Sequence, residues 1–158
     1  MKKLLSIVGL VSGLLLGLTT AVPAAPTGAP WPAIECSNPC IIEDDGGGII
    51  DLYQAQARQM AAGHTSVIVD GPCMSACTIF IDIDRNNVCL TDRALLGYHK
   101  SRLEDDTGKV TFGEIDYETP GLNKYIEDHG GLPDPDSGHL LMLNSYEASK
   151  FYRSCAIK

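Results

Sequence analysis

Val67-Ile68-Val69-Asp70-Gly71-Pro72-Cys73-Met74-Ser75-Ala76-Cys77-Thr78 is the stretch on which the reading of the fold turns. Val67-Ile68-Val69 is a short apolar run of buried-strand type. Gly71-Pro72 breaks it. Ser75 to Ile81 then reads as a buried helix, despite its β-branched residues. Ser75 therefore stands where a tight turn enters a helix. Serine is a favoured N-cap there. The same place offers free backbone N–H groups and the positive end of a helix dipole, surroundings that suit a nucleophile.

On the N-terminal side, Ile34 to Glu43 contains a strand whose apolar end is Cys40-Ile41-Ile42. Asp44-Asp45-Gly46-Gly47-Gly48 is a turn that glycines make easily. Ile50, Tyr53, Ala57, Met60 and Ala61 recur at helical spacing, and Gly63 suits the exit. On the C-terminal side, Asp84-Arg85-Asn86-Asn87 turns the chain, and Val88–Leu90 and Leu95–Tyr98 read as strands. Strand, glycine turn, helix, strand, tight turn, helix, strand is the alternation of an α/β layer structure with parallel strands. Ser101 to Glu118 is polar and reads as a loop or an exposed hairpin. Pro120 to His129 is a helix stopped by Gly130-Gly131, and Pro133 to Gly138 a loop. Asn144 with Glu147 has the form of a capping box opening a last helix that ends near Cys155.

Met1-Lys2-Lys3, the apolar Leu4 to Leu18 and the small residues up to Ala24 have the order of a secretory signal peptide. The apolar stretch is short for a membrane span, which needs about 20 residues. Residues 1–24 are therefore expected to be a signal, 25–33 a disordered Pro/Ala/Gly lead-in, and 34–158 one domain. Roughly 130 residues suffice for one core. The 158-residue chain carries a net charge of −8. That argues against nucleic acid or an anionic membrane surface as partner. All six cysteines (Cys36, Cys40, Cys73, Cys77, Cys89, Cys155) lie after the signal. Export and an even count favour disulfides over a metal pair. Six cysteines allow 15 connectivities, among which the sequence does not choose. Cys36 and Cys40 are near enough to close a small loop. Neither metal nor cofactor is expected, and the mature protein is expected in the periplasm or outside the cell.

A serine nucleophile needs a base and oxyanion donors. The Ala76 N–H at the helix start and an N–H of the Gly46–Gly48 turn are candidates for the donors. Among His64, His99, His129 and His139, His99 ends the apolar Leu95-Leu96-Gly97-Tyr98 and is best placed to point into a site.

Gly46-Gly47, the Asp70–Thr78 block, Cys89, Thr91, Ala94 and Leu96-Gly97-Tyr98-His99 together resemble the superfamily of Clp-type serine peptidases and crotonase-like proteins. They are most similar to its small exported bacterial members. Gly71 stands four residues before the serine, as the Clp pattern has it, and the histidine follows about 25 residues after it. The resemblance covers roughly Ile34 to Ser101, with Glu147 to Cys155 fitting loosely. It implies a minimal ClpP/crotonase-like ββα fold, stapled by disulfides. It implies Ser75 as nucleophile, His99 as base, Gly47 and Ala76 as the oxyanion hole, and a peptide or protein substrate. Such proteins often form homo-oligomers. Two positions depart from the pattern. Asp45 precedes Gly46-Gly47 where Clp-type peptidases have proline. The third, acidic triad position falls near Leu140, with Asp134, Asp136 and His139 close by, so the third member is unassigned. The resulting expectation is an exported serine hydrolase of peptidase type. Its alternative is an inactive binding or assembly protein on the same fold.

Overall fold

A computed structural model describes residues 36–156. The expected signal (1–24) and lead-in (25–33) lie outside the described residues. The chain forms β1 (Cys40–Ile42), α1 (Ile50–Ala62), β2 (Val67–Val69), β3 (Pro72–Met74), α2 (Ala76–Ile83), β4 (Val88–Leu90) and β5 (Leu95–Tyr98). These are followed by β6 (Ser101–Glu104), β7 (Val110–Gly113), α3 (Leu122–Asp128), a 3-10 turn (Pro135–Ser137), β8 (Leu141–Asn144) and α4 (Ser145–Ala148).

The fold is mixed α/β. One sheet has the order β1-β2-β4, wholly parallel. A second has the order β3-β5-β8, with β3 parallel and β8 antiparallel to β5. The polar segment after His99 is the antiparallel hairpin β6-β7. Two residues, Asp70 and Gly71, separate β2 from β3, and there the chain leaves the first sheet for the second. Gly71 makes the crossing possible. A Cβ there would sit 1.9 Å from the Glu43 carbonyl oxygen. Pro72, with no N–H to donate, opens β3, a strand position that proline tolerates.

The core explains why α2 tolerates its β-branched residues. Cys77, Phe80 and Ile81 are wholly buried, and Ala76 and Ile79 nearly so. Each large apolar side chain so enclosed contributes on the order of 1.5–3 kcal/mol relative to exposure. Tertiary burial of that size exceeds the few tenths of a kcal/mol by which β-branching disfavours a helix. Against α2 packs α1, through buried Tyr53, Ala57 and Met60. The buried Asp82 of α2 accepts the N–H groups of Glu118 (2.7 Å) and Thr119 (2.9 Å). These bonds lash the segment before α3 onto α2 and satisfy a carboxylate that burial would otherwise penalise.

Three disulfides join Cys36 to Cys40, Cys73 to Cys77 and Cys89 to Cys155. The end of the chain differs from expectation. The capping box of Asn144 and Glu147 is present, with 3.0 Å bonds in both directions. The helix it opens is a single turn, however, and does not run to Cys155. Tyr152 turns into the core, and the tail runs beside β4, bonded at Leu90 N–H to Arg153 O (2.9 Å) and Cys155 N–H to Leu90 O (2.8 Å). The strand β8 before it occupies a stretch for which the sequence suggested no element.

Candidate active site

Ser75 is held in place from both sides. Its N–H donates to the Gly97 carbonyl of β5 (2.8 Å). Its own carbonyl accepts the N–H (2.9 Å) and the hydroxyl (2.7 Å) of Thr78, whose oxygen also meets the Tyr117 hydroxyl at 3.1 Å. The Cys73–Cys77 disulfide spans the residue from the end of β3 to the first turn of α2. Within this frame Ser75 takes φ +55° and ψ −124°. A non-glycine residue rarely adopts that conformation, which costs on the order of 1–3 kcal/mol. The side chain makes no cap hydrogen bond to α2. Helix capping, the simplest reason for a serine here, is thus not what this side chain does. It lines a cleft of about 570 Å³ together with His99, Gly48, Ala76, Ile50 and Ile79.

His99 follows β5 directly, so the strand that binds the Ser75 N–H also delivers the imidazole. Its Nδ1 lies 2.5 Å from the Lys100 carbonyl oxygen. A carbonyl only accepts, so this contact requires a proton on Nδ1, and in the neutral ring the lone pair then lies on Nε2. Lys100 is itself pinned. Its N–H donates to Pro133 O at 3.0 Å, and its ammonium pairs with Asp134 (3.0 Å) and Glu114 (3.4 Å). Asp134 first, and Glu114 with it, hold that ammonium above the usual lysine range. Among the described residues no hydrogen bond joins Ser75 Oγ to His99.

The glycine turn lies against the serine. Gly47 has φ +82°, and a Cβ on it would stand 2.6 Å from Met74 O and Ser75 Cβ and 2.8 Å from Ala76 N. The Gly47 N–H, expected as a donor to substrate, is instead given to Asp45 Oδ1 at 2.7 Å. The reason is local: Asp45 precedes the turn, and an aspartate accepts readily from the N–H two residues on. The Gly48 N–H and the Ala76 N–H meet no acceptor among the described residues.

The remaining candidates separate from this cleft. Leu140 packs toward Gly97, where an added Cβ would meet its Cδ1 at 2.9 Å. Asp134 pairs with Lys100, while Asp136, His139 and His64 are exposed and do not line the cleft. His129 stacks on Tyr125 at 3.9 Å and bonds to its carbonyl through Nδ1. Sequence reasoning passed over the Lys100 carbonyl, which no residue type can signal because every residue carries one. It also passed over Asp45 as an acceptor, although an aspartate two residues before a turn glycine is a readable sign.

Comparison with protein-family models, with curated proteins and with solved structures gives no match.

Proposed function

We propose that the protein is an exported serine hydrolase of peptidase type. The observation that carries this reading is Ser75, strained at a helix start with its side chain uncommitted, in one cleft with a histidine whose Nδ1 is already engaged. Ser75 Oγ attacks an acyl carbon, and His99 Nε2 takes the hydroxyl proton. The N–H groups of Ala76 and Gly48 receive the oxyanion. His99 then gives the proton to the leaving group, and water repeats the cycle on the acyl-enzyme. The Lys100 carbonyl stands in for the acid of a triad, because orienting the imidazole is the larger part of that group's task. This arrangement is similar to that of Clp-type peptidases, with the oxyanion donor one residue later than Gly47.

A peptide is favoured over other acyl substrates by β6. All four of its residues, Ser101 to Glu104, border the cleft, whereas none of its partner strand β7 does. An open strand edge offers N–H and C=O groups to an extended chain. Export is supported by the three disulfides, which persist in oxidising compartments. No helix among the described residues is long and apolar enough to cross a membrane. A non-catalytic binding role on the same frame is favoured by one fact, the missing hydrogen bond between Ser75 and His99.

Reaction of the oxidised protein with a fluorophosphonate probe tests the proposal. The wild type is expected to be labelled, Ser75→Ala not at all, and His99→Ala at a rate lower by about 10²-fold or more. A folded wild type that stays unlabelled would favour the binding role.

A further inference from the structure

We propose that Asp45 is the positioning residue of the oxyanion turn. Its carboxylate draws the Gly47 N–H inward and so leaves the Gly48 N–H to face the substrate's oxygen. The inference rests on the hydrolase reading above.

One atom does the holding. Asp45 Oδ1 accepts both the Gly47 N–H (2.7 Å) and the Tyr53 hydroxyl (2.8 Å). The backbone of Asp45 is fixed independently of its side chain. Its N–H donates to Pro72 O (2.9 Å) and its carbonyl accepts the Met74 N–H (2.8 Å), which places it beside Cys73 in parallel register. Asp45 therefore ties together the strand that ends at Ser75, the glycine turn, and the buried Tyr53 in the first turn of α1. Tyr53 is 5% exposed. The turn is also wedged from the other side, since Gly47 has no room for a Cβ against Met74, Ser75 and Ala76. With Gly47 caught between Asp45 and Ser75, the direction of the next N–H is set. A plain structural turn would need the Gly47 bond alone. Here the same oxygen is oriented in addition by a buried tyrosine, and Gly48, whose N–H meets no acceptor among the described residues, is a residue of the cleft lining. Proline, which Clp-type peptidases carry before their glycine pair, restricts a turn by its ring. In this chain the restriction comes through hydrogen bonds.

The test pairs amide hydrogen exchange with fluorophosphonate kinetics on the full oxidised protein, comparing wild type, Asp45→Asn, Asp45→Ala and Tyr53→Phe. Asparagine keeps an oxygen that accepts both bonds, whereas alanine keeps none. In the wild type and Asp45→Asn, the Gly47 amide is expected to exchange more slowly than that of Gly48. In Asp45→Ala that difference is expected to vanish. The maximal acylation rate should fall by about 10²-fold in Asp45→Ala, the effect of losing one oxyanion donor. Half-saturating probe concentration should change little, Asp45→Asn should stay within a few-fold of wild type, and Tyr53→Phe should fall between. Equal acylation by Asp45→Ala and wild type overturns the proposal, as does an asparagine variant no better than alanine. If wild type is folded but unreactive, the hydrolase reading fails and exchange alone decides for Asp45. Slow Gly47 exchange lost in the alanine variant then keeps Asp45 as the anchor of the turn, and free Gly47 exchange in the wild type removes it. Should Asp45→Ala not fold, the wild-type contrast between Gly47 and Gly48 and the intermediate rate of Tyr53→Phe carry the test.

Discussion

Ser75 and Gly47 meet at van der Waals limits, and each constrains what the other position accepts. Gly47→Ala adds a Cβ at φ +82° into backbone atoms 2.6 Å and 2.8 Å away. Side-chain repacking cannot relieve a clash with backbone. The substitution is expected to lower stability by more than the roughly 1–3 kcal/mol of local strain and to abolish fluorophosphonate labelling. Labelling at the wild-type rate would show that the turn does not belong to the site. A second residue-scale expectation concerns Asp70, which lies in the short link between the sheets. Bonds from Arg93 first, and from Thr91 (2.6 Å) second, hold its carboxyl below the ordinary carboxylate range. Because the folded value is depressed, the stability this contributes is present above the unfolded value of about 3.9. It is lost as pH falls through the folded value. Arg93→Met should raise the Asp70 midpoint toward the ordinary range, as followed by carboxyl carbon NMR; an unmoved midpoint would mean that Arg93 is not its partner in solution. Serine, histidine and a helix start have recognisable chemistry, so Ser75, His99 and Ala76 could be named from the sequence, and all three line one cleft. That the Gly47 N–H is engaged by Asp45 while the Gly48 N–H meets no acceptor among the described residues was not legible, because three consecutive glycines differ only in where the backbone points them.

At the scale of elements, the disulfide Cys73–Cys77 bridges the end of β3 to the start of α2 across the serine. Both cysteines are wholly buried. Replacing them with a pair of alanines keeps both buried positions apolar but removes the bridge. Far-ultraviolet circular dichroism should then be little altered, while acylation of Ser75 slows at least several-fold. An acylation rate equal to wild type would mean that hydrogen bonds alone preserve the serine's geometry. Elements with clear punctuation were readable in advance. Val67–Val69, Val88–Leu90 and Leu95–Tyr98 are strands as expected, and α1 begins at Ile50 with its exit at Gly63. Pro72–Met74 was not, because a proline next to a glycine signals a break. Its pairing with β5 depends on a strand more than twenty residues away. Leu141–Asn144 was missed for the same reason: its partner, again β5, supplies the order that a four-residue run lacks.

At the scale of the whole molecule, Cys89–Cys155 closes a loop with a sequence separation of 66 residues between β4 and the tail. In the chain-entropy account such a loop restrains the unfolded state by about 4 kcal/mol. Cys89→Ser with Cys155→Ser is expected to lower the unfolding free energy, read from urea titration, by an amount approaching that figure, with a lower urea midpoint. An unchanged midpoint would mean that core packing alone holds the tail. The layered frame puts every proposed catalytic group near one seam. Ser75 follows β3, His99 follows β5, and Asp45 bridges to Cys73 of β3, so three chain segments far apart in sequence come together. Composition and alternation made an α/β domain readable. They could not indicate that the chain divides its parallel strands between two sheets, since the change takes place within Asp70 and Gly71.

The most direct measurement is a crystal structure of the protein after reaction with a small fluorophosphonate. Phosphorus is expected bonded to Ser75 Oγ. The phosphonyl oxygen is expected within about 3 Å of the Gly48 and Ala76 nitrogens, with His99 Nε2 turned toward Oγ and Nδ1 still on the Lys100 carbonyl. An adduct on another residue, or one on Ser75 whose oxygen meets neither N–H, would contradict the proposed mechanism.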